Sequence, residues 1–174
     1  MKNFSRSISS LLRLLIMVML LGACAQQEIE LAFYTIEQAK VIQPGMQMYE
    51  AREPALMVAA SKEEISDLDN YISPEGRETI AQLDFSTRLV IVAFHGMSTY
   101  DYDLRVKRLT YRGAVVKVYA EFIEPHKGQM LHPTAASPYQ MIAVEKPESL
   151  AGKELSFVLI ANDREVASVV HCLP

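Results

Sequence analysis

The stretch Arg88 to Tyr102, RLVIVAFHGMSTYDY, decides how the rest of the chain folds. Its first part contains six consecutive apolar residues, Leu89 to Phe94, and its second part is a polar loop that begins at His95. A short, uninterrupted apolar run bounded by turn residues is typical of a strand that is buried on both faces. We therefore predict a central strand that leads into a surface loop.

The segments on either side of this central strand also carry β patterns. Apolar and polar residues alternate from Tyr102 to Tyr111, and Arg112-Gly113 is a turn signal between two such segments. The predicted strands are 29–36, 55–60, 88–94, 102–111, 114–123, 140–144, 155–161 and 165–170. Short strands at this spacing, separated by turn signals, favour a sandwich or a barrel.

Two short helices are predicted before the central strand. Ser61 and Glu64 have the spacing of a capping box, which predicts a helix that runs to about Tyr71. Pro74 suits the first turn of a second helix, with Ile80 as one of its apolar contacts. The predicted fold class is therefore mainly β (a β-rich α+β fold): an antiparallel β-sandwich or open barrel with two short helices.

The N-terminus has the pattern of a secretory signal peptide. Lys2, Arg6 and Arg13 precede the apolar run Leu14–Leu21, which is followed by small residues. The four residues LGAC that end at Cys24 resemble the bacterial lipobox, in which the cysteine becomes the lipid-bearing first residue. We therefore predict that Cys24 is lipidated; the alternative is an ordinary signal peptide with a coincidental cysteine.

This reading divides the chain into three parts. Residues 1–23 would be a lipoprotein signal peptide that is removed, 24–53 a tether with the first strand, and 54–174 a single β domain. The predicted location is the bacterial cell envelope, with the N-terminal lipid in the membrane. Ala25-Gln26 after the cysteine indicates the outer membrane if the host is Gram-negative.

Charge and cysteine content argue against a nucleic-acid partner and against a disulfide-stabilised domain. Seventeen basic and 21 acidic residues give a net charge of −4, whereas a nucleic-acid binder would show a concentrated basic face. If Cys24 is lipidated, Cys172 is the only other cysteine, so no intramolecular disulfide is possible. Cys172 follows a strand-like segment, and we expect it to be a small packed residue.

No catalytic or cofactor-binding motif is present. The chain has no G-x-S-x-G, no P-loop, no dinucleotide glycine fingerprint and no H-E-x-x-H. His95, His126 and His132 could converge on a metal ion, but loop histidines mostly face solvent and a histidine at a strand end is more often a hydrogen-bonded structural residue. We therefore predict no enzyme activity, no metal site and no cofactor.

Two loops are the candidate contact surface for a protein partner. The first follows the central strand and is rich in tyrosine, which offers a large contact area at low entropic cost. The second lies between the strands 114–123 and 140–144. The candidate residues are Met97, Ser98, Thr99, Tyr100 and Tyr102 from the first loop, and His126, His132 and Tyr139 from the second loop and its end.

Three motifs between Asp84 and Lys146 resemble the PrcB-like (protease complex subunit) C-terminal domain family of bacterial lipoproteins. They are D-F-x-x-x-x-V-I-V at 84–92, a glycine and threonine turn into Y-x-L-x-V at 96–106, and P-Y-x-x-I-x-V-x-K at 138–146. Family members usually have a T-G-G-Y turn, whereas this chain has Thr99-Tyr100-Asp101-Tyr102.

The resemblance implies an assembly or stabilising subunit, not a protease. The leading hypothesis is a lipid-anchored, non-catalytic protein that binds another envelope or secreted protein, possibly a protease. Two alternatives stay open at this point. One is a protease inhibitor that uses its surface loops, and the other is a small-ligand or metal-binding lipoprotein.

Overall fold

A computed structural model of the protein describes residues 28–39, 47–98, 102–125 and 136–174. It shows a mainly β fold of two packed sheets, which confirms the predicted class. The strands are β1 (Ile29–Glu30), β2 (Phe33–Ala39), β3 (Ala55–Ala59), β4 (Arg88–Phe94), β5 (Asp103–Arg112), β6 (Val115–Ile123), β7 (Tyr139–Glu145), β8 (Glu154–Ala161) and β9 (Arg164–Cys172). The helix α1 spans Pro74–Ala81, and 3₁₀ helices span Glu63–Asp67 and Glu148–Leu150.

The five-stranded sheet has the order β1-β5-β6-β8-β9, and the four-stranded sheet has the order β2-β7-β4-β3. Every pair is antiparallel except β6 and β8, which are parallel. The exception follows from the path of the chain. After β6 the chain forms β7 in the other sheet, and β7 carries it back to the end at which β6 began, so β8 starts there in the same direction as β6.

The strand β4 is buried on both faces, as its unbroken apolar sequence predicts. Leu89 and Ile91 point into the core between the two sheets, where they meet residues such as Phe157. Val90 and Val92 point to the other side, into a second core beneath α1 and the first 3₁₀ helix. The protein is therefore a three-layer structure of sheet, sheet and helical cover, which requires β4 to be apolar on both sides.

The first predicted strand, 29–36, is in fact two strands in different sheets. Ile29 pairs with Tyr111 in the five-stranded sheet, whereas Phe33 pairs with Val144 in the four-stranded sheet. Leu31, between them, is only 6% exposed and packs in the core between the sheets. The chain thus closes one side of the sandwich by passing from one sheet to the other.

The two predicted helices have different outcomes. The second is α1, which Ser73 caps by accepting a 2.9 Å hydrogen bond from the Gly76 N–H. The first is a 3₁₀ helix, and the expected capping box is wrong: Ser61 does not cap it, and the Glu64 carboxylate accepts from the Ala60 N–H instead (2.6 Å). Glu64 also lies 3.1 Å from Nε2 of His171, so it joins this helix to β9.

Cys172 is exposed, so the expectation that it packs in the core is wrong. It is the last residue of β9, where it pairs with Glu154, and its sulfur is 3.9 Å from the Glu154 carboxylate. His171 is partly buried, whereas Cys172 is exposed. Adjacent residues of a strand point to opposite faces, so these two side chains do not form a nucleophile and base pair.

The sandwich has two ends, which we call the base and the top. The chain enters β1 at the base, beside the Gly113-Ala114 turn between β5 and β6. At the top, β4 ends and β5 begins, and β6 ends and β7 begins. The top therefore receives both loops that the sequence singles out as candidate contact segments.

Candidate functional site

An antiparallel bridge joins the two candidate loops at the top of the sandwich. Ser98 N–H donates to the Ala136 carbonyl at 2.8 Å, and Ala136 N–H donates to the Ser98 carbonyl at 2.9 Å. The structure thus brings together the ends of two loops that are far apart in sequence. Thr99, Tyr100, His126 and His132 lie outside the described residues, so their part in this site stays a prediction.

Aromatic rings close the core beneath this bridge. The His95 ring stacks on Tyr102 (4.7 Å between centroids, 26° between planes) and lies 4.5 Å from the Phe122 ring. Burial lowers the pKa of His95 below its ordinary value. Its Nδ1 is 3.3 Å from the Gly96 carbonyl, which only accepts hydrogen bonds. Tyr102 and His95 are therefore packed against each other, and only part of the Tyr102 side chain faces solvent.

Gly96 allows a third segment to reach the top. Its φ is +92°, and a Cβ at this position would overlap the carbonyl oxygen of Arg52. Met97 N–H donates to the Ala51 carbonyl at 2.7 Å, which holds this segment beside the candidate loop. The side chains of Met97 and Ser98 are half-buried as a result.

The segment 47–53 is thus part of the top, and the sequence does not reveal this. Glu50, Arg52 and Glu53 are exposed there and add charge to the surface. Tyr49 stacks on Phe94 at 4.7 Å, with 27° between the ring planes. The only signal in the sequence is the turn-prone residues on either side, and these do not indicate at which end of a sandwich the segment lies.

Tyr139 is in the core, so the prediction that it belongs to the contact surface is wrong. It is 4% exposed, and its ring packs 5.9 Å from that of Phe94. Its hydroxyl donates to the Glu37 carboxylate at 2.6 Å. Burial, and next the bond to Glu37, raises the pKa of Tyr139 above its ordinary value. The residue can support the top from beneath but does not present its ring to a partner.

A buried glutamine connects the two sheets just below the top. Gln140, which is 3% exposed, accepts from the Val106 N–H at 2.6 Å and donates to the Thr35 hydroxyl at 2.7 Å. Val106 lies beside a bulge in β5, where the ladder to β6 is irregular. The glutamine side chain therefore supplies the acceptor for an N–H that would otherwise be buried without a partner.

Two of the sequence motifs that carry the family resemblance have local structural roles. Asp84 accepts from the Ser86 N–H at 3.0 Å and from the Ser86 hydroxyl at 2.6 Å, which shapes the turn before β4. Lys146 follows β7, and its ammonium donates to the Phe85 carbonyl of the same turn at 2.9 Å. The aspartate and the lysine thus fix the start of β4 against the end of β7.

The part of the chain that the structure describes contains neither a cluster of metal ligands nor a membrane-spanning helix. In the ranges 28–39, 47–98, 102–125 and 136–174, no three His, Cys, Asp or Glu side chains are grouped so as to hold a metal ion. Within the same ranges, no helix is both long and apolar enough to cross a membrane.

Comparison with known proteins finds one family. The family model described as PrcB C-terminal matches residues 89–145, which is less than half of the chain. No curated protein and no solved structure matches. The matched residues extend from β4 to β7, and they include both candidate loops and the Ser98–Ala136 bridge. Over this segment the chain is similar to the PrcB C-terminal family, and the resemblance seen in the sequence motifs is confirmed.

Proposed function

We propose that this protein is a lipid-anchored, non-catalytic component of the bacterial cell envelope that binds and stabilises another envelope or secreted protein. A secreted protease is the first partner to test. The observation that carries the proposal is the family match, because a subunit associated with a protease complex is what that family suggests. Two of the three connections between the matched strands, the loops after β4 and before β7, also lie at one end of the molecule, where a partner could contact them together.

The surface chemistry of the top supports protein binding. Met97 and Ser98 present half-buried side chains beside the exposed charges of Arg52 and Glu53. Partly buried apolar and aromatic groups with a polar rim are typical of protein interfaces. The bridge and the stacked His95 ring hold these groups in place, so less conformational entropy would be lost on binding.

The anchoring part of the proposal comes from the N-terminal sequence. The basic residues, the short apolar run and the LGAC sequence that ends at Cys24 support a lipobox. An anchor of several acyl chains would hold the protein firmly at the membrane. We accordingly place it in the cell envelope, in the outer membrane if the host is Gram-negative.

The test is a photocrosslinking experiment in the native envelope. A photoreactive amino acid replaces Glu124, which is exposed at the top, or Glu148, which is exposed at the base and serves as the matched control. We expect Glu124, but not Glu148, to yield a crosslink to one predominant protein. Crosslinks of equal yield from both positions, or none from Glu124, would contradict the assignment of the top.

The crosslinked partner then distinguishes a stabilising subunit from an inhibitor. If the partner is a protease, its activity is measured with and without the purified full-length protein. A stabilising subunit should leave the activity unchanged or raise it and should slow thermal inactivation. Loss of protease activity in proportion to added protein would favour the inhibitor hypothesis instead.

A further inference from the structure

A stripe of positive charge follows β5 along the outer face of the five-stranded sheet. Its cations are Arg105, Lys107, Arg108 and Arg112, and all four are exposed. The bulge between Val106 and Arg108 interrupts the alternation of inward and outward side chains along β5. The adjacent cations Lys107 and Arg108 therefore lie on the same face.

The neighbouring strand β6 confirms that the stripe lies on the outer face. Lys107 forms a 2.8 Å ion pair with Glu121, and the Arg108 guanidinium lies 4.4 Å from the centre of the Tyr119 ring. Lys117, on the same strand, adds a further cation beside them. Because the inner face of the sheet forms the core, the stripe points away from the rest of the molecule.

The opposite side of the molecule is acidic. The helical layer that covers the four-stranded sheet has a set of exposed carboxylates and one exposed cation, Lys62. The exposed acids in 61–84 are Glu63, Asp67, Glu75, Glu78 and Asp84. The β5 stripe is thus the positive part of an outer face that also carries the carboxylates of Glu28, Glu30, Glu121, Glu154 and Glu165, whereas the helical layer is predominantly negative. This difference between the stripe and the helical layer would favour one orientation of the molecule near a negatively charged surface.

The N-terminal segment is attached to the same face of the molecule as the stripe. The Glu28 carboxylate accepts from the Thr110 hydroxyl at 2.6 Å and from the Tyr119 hydroxyl at 3.4 Å, and it lies 3.9 Å from the Lys117 ammonium. From Cys24 to Glu28 the chain advances four residues, which span at most about 14 Å when fully extended. A lipid on Cys24 would therefore hold the outer face of the five-stranded sheet close to the membrane surface.

We propose that the β5 stripe binds anionic lipid headgroups of the membrane in which Cys24 is anchored. The five-stranded sheet then faces the bilayer and the helical layer faces away from it. The inference rests on the lipid anchoring proposed above. Single surface cations attract anionic headgroups weakly, but a short tether gives the stripe a high effective concentration at the membrane.

The test uses the full-length lipidated protein on vesicles. A fluorophore is attached in a Cys172→Ser background either at Ser168→Cys, on the outer face of β9, or at Glu78→Cys, in α1. Vesicles contain phosphatidylcholine alone or phosphatidylcholine and phosphatidylglycerol in equal parts, together with a lipid that carries a quencher on its headgroup. We expect the Ser168 label to be quenched several-fold more than the Glu78 label on the anionic vesicles. High salt should remove the difference.

A matched pair of triple variants assigns the orientation to the stripe. The first carries Arg105→Gln, Arg108→Gln and Arg112→Gln, and we expect it to lose the difference between the labels. The control carries Lys62→Gln, Lys153→Gln and Arg164→Gln, which remove the same charge from other exposed positions and should retain the difference. Equal unfolding midpoints would show that both variants are folded.

The outcomes separate this inference from the proposed function. Protein that carries no lipid and does not float with vesicles overturns the anchoring and, with it, the inference. If the protein floats with vesicles but both labels are quenched equally, the anchoring stands and the orientation is overturned. A stripe variant that retains its orientation but loses its crosslink to a protein partner would assign the stripe to that partner and overturn membrane docking.

Discussion

At the scale of single residues, His95 shows how packing and protonation are linked at the top of the sandwich. Its ring lies against Tyr102 and Phe122, and neither neighbour supplies a carboxylate to stabilise an imidazolium. Burial accordingly lowers the pKa of His95. The folded protein thus favours neutral histidine at the point where the candidate contact loop leaves the core.

This arrangement predicts the pH dependence of stability. Because the pKa of His95 is lower in the folded than in the unfolded chain, the unfolded chain takes up the proton first as the pH falls. The contribution of neutral His95 to stability is complete above its ordinary pKa of about 6.5 and is lost as the pH falls through the folded value. We expect His95→Phe, which keeps an aromatic ring, to reduce the loss of stability between neutral pH and about pH 5.

Urea unfolding at a series of pH values measures this effect. The carboxylates make the whole protein less stable in acid, so the informative quantity is the difference between the wild-type and His95→Phe slopes. The wild type is the matched reference, since it carries the same carboxylates as His95→Phe and differs only at this residue. Identical slopes for the wild type and His95→Phe would show that His95 does not titrate in this range.

At the scale of elements, one carboxylate connects β2 to the N-terminus of α1. Glu37 accepts from the Tyr139 hydroxyl at 2.6 Å and from the Ser73 N–H at 3.4 Å. It contacts Gly76 so closely that a Cβ there would overlap its carboxylate. An acidic group at this end of a helix is also favoured by the helix dipole.

A glycine replacement tests this connection. Alanine is intrinsically better than glycine in a helix by about 1 kcal/mol, yet Gly76→Ala would displace the Glu37 carboxylate from its donors at a cost of about 1–3 kcal/mol. We expect Gly76→Ala to destabilise the protein. In a Glu37→Ala background the same change should be neutral or stabilising, because no carboxylate is then in the way. A double-mutant cycle by urea unfolding measures the coupling, and an equal cost in both backgrounds would contradict it.

The elements also show which parts of the fold can be predicted from the sequence. The apolar run of β4 and the Arg112-Gly113 turn, where Gly113 has a positive φ, indicate their structures directly. The passage between sheets at Leu31 could not be predicted, since no glycine or proline marks it. Tyr139 was misplaced because β7 is buried on both faces, so no alternation shows which side chains face solvent.

The same limit applies to the candidate site. Polar residues that follow β4 and precede β7 predict loops there, and the bridge between Ser98 and Ala136 joins the ends of these two loops. The contribution of segment 47–53 depends on Gly96, whose positive φ and close approach to Arg52 are properties of the folded chain. Local sequence does not encode such a long-range contact in any readable pattern.

At the scale of the whole molecule, the family match covers less of the chain than the folded unit does. The matched residues 89–145 supply β4 to β7, which are split between the two sheets. The core between the sheets also needs Phe157 and Leu159 from β8, and Leu31 from the link between β1 and β2. The described residues thus form one interdependent structure around the matched segment.

This interdependence predicts the result of an N-terminal truncation. A chain of residues 54–174 would lack β1 and β2, so β7 would lose one of its two partner strands and the core would lose Leu31. Burial of one leucine alone contributes about 1.5–3 kcal/mol, and the lost strand pairing adds to this. We expect residues 54–174 to unfold at a much lower urea concentration than residues 28–174, or to remain unfolded. Equal midpoints would show that 54–174 is a complete domain and that residues 28–53, which contain β1, β2 and the segment 47–53, are accessory.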